Sequence, residues 1–377
     1  MKVLHITTHL NAGGITNYIL RLANPLRARG IEIEVLSSGG DLSDAFRAHV
    51  VPVHELPIRT KNILHPKLYQ ALPELRRLIK ERGIDVIHAH TRIAQAMAFF
   101  IQFLHRIPVV TTCHGFYKLR LGRRLFPAWG DAAVAISQPV QEHLLNDFHL
   151  KPDKIRLIHN AVDLEEIDGI FKSLNPAHEK KQFGFEAGDF VVGIVARLVQ
   201  DKGLDYLIDA VYALRQRHSG IRLLIVGDGN YREACFARVK KLGLDGVTTF
   251  SGNLLNADVI RALCAIDVFV LPATWREGFG LSIVEAMACK KPVIVTNIWS
   301  LNSLIQDHQT GILIEPKAVA PLAAAIDELM CDSILRASLG NQGRIMVEKF
   351  FSMPRMADEL ADTYQQTYER RHHVKKI

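Results

Sequence analysis

The sequence has few cysteines, and none of them forms a C-x-x-C pair. The chain of 377 residues contains five: Cys113, Cys235, Cys264, Cys289 and Cys331. An odd number at these spacings disfavours a disulfide framework and a structural zinc site, and it is typical of a reducing compartment.

Long apolar runs are also absent. The first 14 residues contain no apolar signal segment, and the longest mostly apolar stretch, residues 93–104, includes Gln95 and Gln102. That stretch is too short to span a bilayer. We therefore expect a cytoplasmic protein, and association with the inner face of the cytoplasmic membrane stays open.

Two families of binding motif are missing as well. The segment that begins at Gly227 reads GDGNYR, so Arg232 stands where a dinucleotide-binding G-x-G-x-x-G motif has its third glycine. No segment shows the basic and aromatic arrangement of a nucleic-acid-binding fold. These absences disfavour a dinucleotide cofactor and predict no nucleic-acid partner.

What the sequence does contain is an unevenly placed charge. Residues 1–150 carry 18 Lys and Arg against 11 Asp and Glu, whereas the remaining residues carry 28 of each kind. The whole net charge of +7 therefore belongs to the first half. Such asymmetry predicts an anionic partner for that half.

Short apolar runs alternate with segments of helical spacing along the chain. Strands are predicted at residues 3–7, 31–36, 85–88, 109–112, 132–136, 190–196, 221–226, 247–250, 266–271, 293–296 and 312–314. Helices are predicted at residues 17–29, 69–82, 93–105, 139–148, 204–217, 231–242, 256–264, 281–289 and 319–330. This alternation is typical of parallel sheets with helices on both faces.

The expected fold class is α/β, with two Rossmann-like doubly wound domains that face a central cleft. We place the first domain at residues 1–158 and the second at 159–355, with the junction near the segment HNAVD. A last helix at 356–370, within a C-terminal segment 356–377, is expected to pack back on the first domain. Ligands of such domains bind at the carboxyl ends of the strands.

The most informative segment is WREGFGLSIVEAMA, residues 275–288. Glu277 and Glu285 are separated by seven residues that include Gly278 and Gly280, between a predicted strand and a predicted helix. Loop glycines allow close backbone approach, and a helix N-terminus offers N–H groups to an anion. Carboxylates can accept hydrogen bonds from hydroxyls on either side of that anion. The segment therefore predicts a site for a phosphate between two polyols, which describes a nucleotide sugar.

Two cations stand at the end of another predicted strand. Arg197 ends the strand, and Lys202 follows five residues later, before a glycine and a helix. They can neutralise a diphosphate leaving group. Metal-dependent sugar transferases commonly use an Asp-x-Asp motif there, and the nearest equivalent is Asp163-Leu-Glu165 at the domain junction. We therefore expect no metal and no cofactor, with the two cations and a helix dipole acting instead.

Histidines follow two strands of the first half. His114 can hydrogen-bond a substrate hydroxyl, and a structural histidine is the alternative. Its neighbour Cys113 points to the opposite side of the strand and is expected to pack in the core. His88 and His90 are two residues apart, but no third ligand stands near them in the sequence, so no metal site is predicted.

Glycine-containing loops give the remaining candidates. The pair Gly13-Gly14 follows the first predicted strand and allows approach to a phosphate or sugar, with Thr16 as the expected N-cap. An ordinary strand-to-helix turn is the alternative reading. Gly227 and the pair Asn253-Leu254 end two strands of the second half and are expected near the nucleoside.

A basic segment, residues 118–124, reads KLRLGRR and alternates basic with apolar residues. Such a segment can lie on an anionic lipid surface or hold an anionic acceptor, and a solvated basic loop is the alternative. An anionic membrane, contacted peripherally, is therefore one expected partner of the first half.

Together these motifs resemble the retaining glycosyltransferases of family 4, which have the GT-B fold and include many bacterial envelope sugar transferases. EGFGLSIVE, from Glu277 to Glu285, is similar to the family's E-x7-E motif. VARLVQDKG at residues 195–203 and HNAVD at 159–163 stand at family-like spacings. The resemblance covers nearly the whole chain. The segment 299–305, WSLNSLI, departs from it because it lacks the glycines and acidic residue common in relatives.

The resemblance implies roles for the matching residues. It implies that Arg197 and Lys202 bind the donor diphosphate, and that Glu285 holds the ribose hydroxyls. The catalytic candidates it implies are His114, near the reacting carbon, and Glu277, which positions the donor sugar electrostatically. Further candidates for donor binding are Gly227, Asn253, Leu254, Gly278, Phe279, Gly280, Leu281 and Ser282. The candidates for a phosphate or acceptor loop are Gly13 and Gly14.

The expected function is transfer of a sugar, with retention, from a nucleotide-diphosphate sugar to an envelope glycan or glycolipid, in lipopolysaccharide or polysaccharide biosynthesis. The resemblance implies a front-face mechanism, in which the leaving phosphate helps to deprotonate the acceptor. An anionic acceptor is expected because the first half is basic. A nucleotide-sugar epimerase or hydrolase on the same scaffold and a non-catalytic two-lobed sugar-binding protein stay open as alternatives.

Overall fold

The computed structural model describes residues 1–119, 122–123 and 126–373, and the chain divides into two compact units. The first unit is Met1–Asn160 together with Met353–Ile377, and the second is Ala161–Ser352. The sequence had placed the junctions after residues 158 and 355.

The first unit is built on a seven-stranded sheet in which every neighbouring pair is parallel. Its strands are β1 (Lys2–Ile6), β2 (Glu32–Ser37), β3 (Val53–Glu55), β4 (Val86–Ala89), β5 (Val109–Cys113), β6 (Ala132–Ala135) and β7 (Ile155–Leu157). The strand order is β3-β2-β1-β4-β5-β6-β7. The order reverses between β1 and β4, and ligands of doubly wound sheets bind beyond the carboxyl ends at that point.

Helices connect these strands across both faces of the sheet. Those before the second unit are α1 (Gly14–Arg27), α2 (Ser43–Ala48), α3 (Pro66–Arg82), α4 (Arg92–His105) and α5 (Gln138–Glu142), which continues as a π-helical turn at His143–Asp147. The core on one face is formed by the apolar side chains of α3 and α4 against β1, β4 and β5. These strands are almost wholly buried, as is typical of a parallel sheet with helices on both faces.

One predicted helix start was wrong. Thr16 was expected to be the N-cap, but α1 begins at Gly14, and its N-cap Gly13 makes no side-chain capping bond. The Thr16 hydroxyl donates instead to the Asn11 carbonyl at 2.8 Å, so it stabilises the preceding loop.

The second unit has a six-stranded sheet that is also parallel throughout. Its strands are β8 (Phe190–Val195), β9 (Ile221–Val226), β10 (Thr248–Gly252), β11 (Val268–Leu271), β12 (Val293–Thr296) and β13 (Ile312–Ile314). The strand order is β10-β9-β8-β11-β12-β13, so the reversal lies between β8 and β11. Two Rossmann-like units with parallel sheets confirm the predicted fold class.

The helices of the second unit follow the same alternation. They are α6 (Leu164–Phe171), α7 (Pro176–Gln182), α8 (Leu204–Arg215), α9 (Arg232–Lys241), α10 (Asn256–Ala265), α11 (Leu281–Ala288), α12 (Trp299–Asn302), α13 (Val319–Cys331) and α14 (Ser333–Phe350). Short 3-10 turns stand at Gln200–Lys202 and Asp245–Val247.

The last helix, α15 (Met353–His373), belongs to the first unit and packs against α1. An ion pair joins Arg29 Nε to Asp358 Oδ1 at 2.5 Å, and the Tyr364 ring is fully buried. The prediction that the C-terminal helix packs on the first domain is confirmed. The helix begins at residue 353 rather than 356.

Several elements were not predicted from the sequence, and the longest is α14. Its buried positions are Leu339, Gly340, Gly343, Arg344 and Val347. A buried face with two glycines and an arginine gives almost no apolar periodicity, which is the signal that sequence reading relies on. The others, β3, β7, α2, α6, α7 and α12, are eight residues long or shorter.

Among the described residues, no helix combines the length and apolar character needed to cross a membrane.

Candidate active site

The loops after β8 and β11 lie side by side at the strand reversal of the second unit. The Thr274 N–H donates to the Asp201 carbonyl at 2.8 Å. Gly203 has φ +72, and a Cβ atom there would lie 1.9 Å from the Pro272 carbonyl oxygen. Only glycine combines this left-handed backbone with so close an approach. Gly203 therefore allows the loop that carries Lys202 to lie directly against the loop that carries Glu277.

Lys202 and Glu277 meet across these two loops. Lys202 Nζ donates to Glu277 Oε2, and the two side chains are 17% and 22% exposed. The Glu277 N–H donates to Ser300 Oγ at 2.8 Å, and Ser300 is buried at the start of α12. The carboxylate is therefore held by a cation on one side while its backbone is fixed from the other. Ser300 was missed because the segment 299–305 lacks the expected motif.

Arg197 stands just beyond the carboxyl end of β8 and is exposed. Within the described part of the chain, no carboxylate pairs with its guanidinium. Lys202 already contacts Glu277 with one of its three N–H donors, whereas the guanidinium of Arg197 is wholly open to an anion.

The N-terminus of α11 completes this edge of the sheet. Its N-cap is Gly280, which provides no side-chain cap, and its first turn contains no acidic residue. The Ile283 N–H bonds to the Gly280 carbonyl at 2.9 Å, so the N–H groups of Leu281 and Ser282 precede the first helical hydrogen bond. Such N–H groups suit an anion. Glu285 lies half-buried in the second turn of the same helix.

The other candidate residues in the loop after Glu277 differ in their exposure to solvent. Phe279 is buried, and its ring packs edge-on against Phe351 with centroids 5.6 Å apart. Gly278 is half-buried between Glu277 and Phe279. The Phe279 side chain therefore belongs to the packing beneath the loop.

The candidates expected near the nucleoside lie along the same carboxyl edge. The Gly227 N–H, after β9, donates to the Gly252 carbonyl at 2.8 Å and joins the ends of β9 and β10. Asn253 is exposed and Leu254 is half-buried just after β10. They lie two strands from β8, the strand that precedes Arg197.

In the first unit, Gly13 and Gly14 are exposed at the N-terminus of α1. A Cβ atom at Gly13 would approach only the Asn11 carbonyl oxygen, at 3.9 Å, and one at Gly14 would meet nothing within 4 Å. Packing within this unit therefore does not require glycine at either position. Their contact with a phosphate or acceptor stays a prediction.

Cys113 ends β5 and is fully buried, which confirms its predicted place in the core. Its Sγ donates to the Gly115 carbonyl at 3.2 Å, and burial raises the pKa of the thiol to about 12. The thiolate is the nucleophilic form of cysteine, so this side chain is chemically inert at neutral pH. All five cysteines are free.

The expectation that no third ligand stands near His88 and His90 was wrong. His5 lies in β1, opposite His88 in the parallel register, and ring nitrogens of His5, His88 and His90 all lie within 4.8 Å of one another. All three side chains are fully buried. The signal in the sequence was a histidine in the middle of the apolar strand KVLHI.

Burial also controls the protonation of these rings. It lowers the pKa of His5 and of His114 to about 3, and it lowers the pKa of His88 and His90 well below the usual 6.5. All four rings are therefore neutral at pH 7, and each carries one ring proton.

Asp163, the first residue of the Asp-Leu-Glu sequence, acts as a helix cap. Its carboxylate accepts hydrogen bonds from the N–H groups of Glu165 and Glu166 at 3.1 and 3.0 Å. Both bonds go to Oδ1, and Asp163 is the N-cap of α6.

The basic segment 118–124 lies partly outside the described residues, because Arg120, Leu121 and Arg124 are not among them. Arg123 is described, and its guanidinium lies 4.1 Å from the centroid of the Tyr117 ring. It is also 5.5 Å from the Trp129 ring. Arg123 is therefore engaged in cation–π packing rather than in a solvated loop.

A basic cavity of about 660 Å³ lies near the amino ends of β6 and β7 in the first unit. The Arg371 guanidinium pairs with Asp131 at 3.2 Å, and Phe103 on the rim is 81% exposed. The cationic lining comes from three separate segments, so no motif revealed it: Arg106, Lys154, Arg156, Arg370 and Arg371.

Comparisons with known proteins agree with this architecture. Residues 177–346 match the family described as glycosyl transferases group 1, and residues 12–166 match Glycosyltransferase Family 4. This chain is a glycosyltransferase. The group 1 match contains Arg197, Lys202, Glu277 and Glu285, and the Family 4 match contains His114.

Several relatives of this glycosyltransferase are similar over nearly their whole length. The D-inositol 3-phosphate glycosyltransferase of Pseudarthrobacter chlorophenolicus is 26% identical, over 90% of this chain and 87% of its own. The capsular polysaccharide biosynthesis glycosyltransferase CapM of Staphylococcus aureus is 25% identical, over 90% and 91%. The crystal structure of Anabaena HepE in complex with UDP-glucose shares the fold, with a TM-score of 0.82 at 23% identity over 97% and 100%.

Proposed function

We propose that this glycosyltransferase transfers a sugar, with retention and without a metal, from a nucleotide-diphosphate sugar to a glycan or glycolipid of the cell envelope. The observation that carries the proposal is the contact between Lys202 and Glu277 at the β8/β11 reversal. This contact puts a cation beside a carboxylate that can accept hydrogen bonds from sugar hydroxyls, and both lie next to the open N-terminus of α11. A sugar diphosphate requires this combination.

Each charged residue has a role that follows from its position. Arg197 is exposed and has no carboxylate partner in the described part of the chain, so it binds the diphosphate together with Lys202 and the N–H groups of Leu281 and Ser282. Glu285 accepts hydrogen bonds from the ribose hydroxyls, and Gly227 with the pair Asn253-Leu254 forms the nucleoside end of the site. In this assignment the phosphate charge is balanced by two cations and a helix terminus, so no divalent metal is needed.

Glu277 is a positioning residue for the donor sugar rather than a nucleophile. Its carboxylate is already held by Lys202, and its backbone is fixed by Ser300. Such a carboxylate orients sugar hydroxyls and stabilises positive charge at the reacting carbon. His114 contacts the donor sugar near that carbon, and the leaving phosphate takes the acceptor proton on the same face. This sequence of events retains the anomeric configuration.

The relatives support the type of substrate. CapM acts in capsular polysaccharide biosynthesis, and HepE has been crystallised with UDP-glucose. The surplus of basic residues in the first half favours an anionic acceptor.

A donor screen tests the proposal. Thermal unfolding is measured with UDP-, GDP- and ADP-sugars in EDTA, and the stabilising donor is then incubated with acceptor fractions from cell envelopes. We expect stabilisation by one donor class and an axial or equatorial product linkage that matches the donor anomer, read by NMR. Inversion would exclude the retaining mechanism, and rapid epimer formation without acceptor would favour the epimerase alternative.

We also propose that the first unit contacts anionic membranes peripherally. The basic cavity at the amino ends of β6 and β7, with the exposed Phe103 on its rim, offers both charge and an apolar anchor. Sedimentation with phosphatidylglycerol vesicles should show binding that weakens between 50 and 500 mM salt, roughly as screening requires. Binding that ignores salt, or equal binding by a variant with Arg106→Glu and Lys154→Glu, would contradict it.

A further inference from the structure

Three histidines of the first unit are hydrogen-bonded in series. His5 Nδ1 lies 2.9 Å from His90 Nε2, and His90 Nδ1 lies 3.0 Å from His114 Nε2. The rings of His5 and His90 are nearly parallel, with an interplanar angle of 9°. We call His5, His90 and His114 the histidine relay. His5 and His90 are fully buried, and His114 is half-buried.

The relay permits only two arrangements of protons. Each neutral imidazole has one ring proton, and each nitrogen–nitrogen contact needs one. In the first arrangement, His114 Nε2–H donates to His90, and His90 Nε2–H donates to His5. In the second, His5 Nδ1–H donates to His90, and His90 Nδ1–H donates to His114. His90 must therefore donate at one nitrogen and accept at the other.

The end of the relay decides between these arrangements. His5 Nε2 is buried and has no hydrogen-bond partner among the residues that the structure describes. The first arrangement puts a proton on that nitrogen, which leaves a buried N–H group unpaired. The second leaves only a lone pair there and puts the terminal N–H on the partly exposed ring of His114. Unpaired buried N–H groups are rarer in proteins than unsatisfied acceptors, so the second arrangement is favoured.

A bound cation is the competing use of this cluster. Ring nitrogens of His5, His88 and His90 are close enough together to share one. However, His88 Nδ1 lies 2.6 Å from the Tyr364 hydroxyl and its Nε2 lies 2.7 Å from Thr112 Oγ1. Both nitrogens of His90 are used by the relay. A cation would therefore have to break at least two buried hydrogen bonds, and the geometry favours the relay.

We propose that His5 and His90 are positioning residues that fix His114 in its Nδ1–H tautomer, so that His114 presents a hydrogen-bond donor to the sugar. The role of His114 at the sugar rests on the proposed function. A ring nitrogen takes its protonation from the bond that the other nitrogen makes. His114 accepts at Nε2 and so donates at Nδ1. It therefore orients a sugar oxygen and does not remove a proton from the acceptor.

The tautomer can be read directly by NMR of the full chain labelled with 15N. Two-bond 1H–15N correlations distinguish Nδ1–H from Nε2–H rings, and a His114→Gln spectrum assigns the His114 signals. We expect His114 as the Nδ1–H form in the unchanged protein. An Nε2–H ring would overturn the proposal. So would a joint shift of the His5, His88 and His90 signals when one equivalent of Zn²⁺ is added, because that would show a metal site.

Two matched variants test the consequence for transfer. His90→Phe interrupts the relay, whereas His88→Phe removes an equally buried ring from the same strand end and leaves the relay intact. We expect only His90→Phe to give a mixture of His114 tautomers and to lower kcat about tenfold, with KM for the donor unchanged. Equal kcat in both variants would overturn the positioning role.

The proposed function and the histidine relay can be contradicted independently of each other. Absence of sugar transfer with a confirmed Nδ1–H tautomer would contradict the proposed function and leave the relay standing. If neither variant folds, the tautomer of the unchanged protein still decides the proposal.

Discussion

At the residue scale, the proposed donor site contains one cation that pairs with a carboxylate and one that pairs with none among the described residues. Lys202 contacts Glu277, while Arg197 is exposed beside it. We expect Arg197→Ala to raise KM for the donor by about 10- to 100-fold, because one charge-assisted contact to the diphosphate is lost. Its unfolding temperature should be unchanged, because the exposed Arg197 side chain forms no ion pair or hydrogen bond with the described residues. Steady-state kinetics measure the KM, and a thermal scan measures the unfolding temperature. A large loss of stability would contradict the assignment.

Lys202→Met tests the paired cation. It removes a phosphate contact and also leaves the Glu277 carboxylate without its partner. We therefore expect kcat/KM to fall by about 100-fold or more, beyond the effect of Arg197→Ala. Lys181→Met is the matched control, because Lys181 is exposed on α7 of the same unit. Equal activity in the two lysine variants would rule out a donor contact at Lys202.

At the scale of single residues, the sequence predicted those features of the site that depend on residues close together in the chain. A glutamate followed by loop glycines and a cation after a strand both indicate a phosphate site without any tertiary information. The pairing of Lys202 with Glu277 was not predictable, because 75 residues separate them. His5 was missed for the same reason, since its proximity to His88 depends on β1 lying beside β4.

At the element scale, α11, the helix of the proposed donor site, packs against α14. A Cβ atom at Gly340 would lie 2.1 Å from the carbonyl oxygen of Lys290, just after α11. We expect Gly340→Ala to lower the free energy of unfolding of the second unit by about 1–3 kcal/mol, as overpacking does. Gly169→Ala is the control, because a Cβ there meets nothing within 4 Å and alanine favours a helix. Urea unfolding should separate the variants, and equal midpoints would contradict this packing.

Element prediction from sequence succeeded where both faces of an element are packed by large apolar residues. The central strands β1, β4, β8 and β11 read as apolar runs for this reason. The α14 helix did not, because its close approach to neighbouring backbone requires glycines and leaves no apolar stripe. Arg344, on the same face, is held by Asp168 and the Ala288 carbonyl, which is a tertiary contact with no local signal.

At the scale of the whole molecule, the buried histidines should make the first unit lose more stability in acid than the second unit does. Five rings in the first unit, those of His5, His88, His90, His114 and His159, have pKa values lowered by burial, whereas the unfolded chain takes up protons near pH 6.5. Stability from these rings is therefore present above pH 6.5 and is lost as the pH falls, by about 1.4 kcal/mol per pH unit for each proton taken up. Hydrogen exchange at pH 7.5 and 5.5, corrected for the intrinsic rate, should show protection lost in β1 and β4 before β8 and β9. Equal losses in both units would contradict this.

The central claim is that the β8/β11 edge of the second unit binds a nucleoside diphosphate without a metal. The most direct test is isothermal titration of UDP, GDP and ADP in EDTA, into the unchanged protein, into an Arg197→Ala/Lys202→Met variant and into Lys181→Met. The account predicts that at least one nucleotide binds the unchanged protein and the Lys181 variant equally, and that the double variant binds it more than about 100-fold more weakly. Binding that requires added metal, or that survives in the double variant, would contradict it.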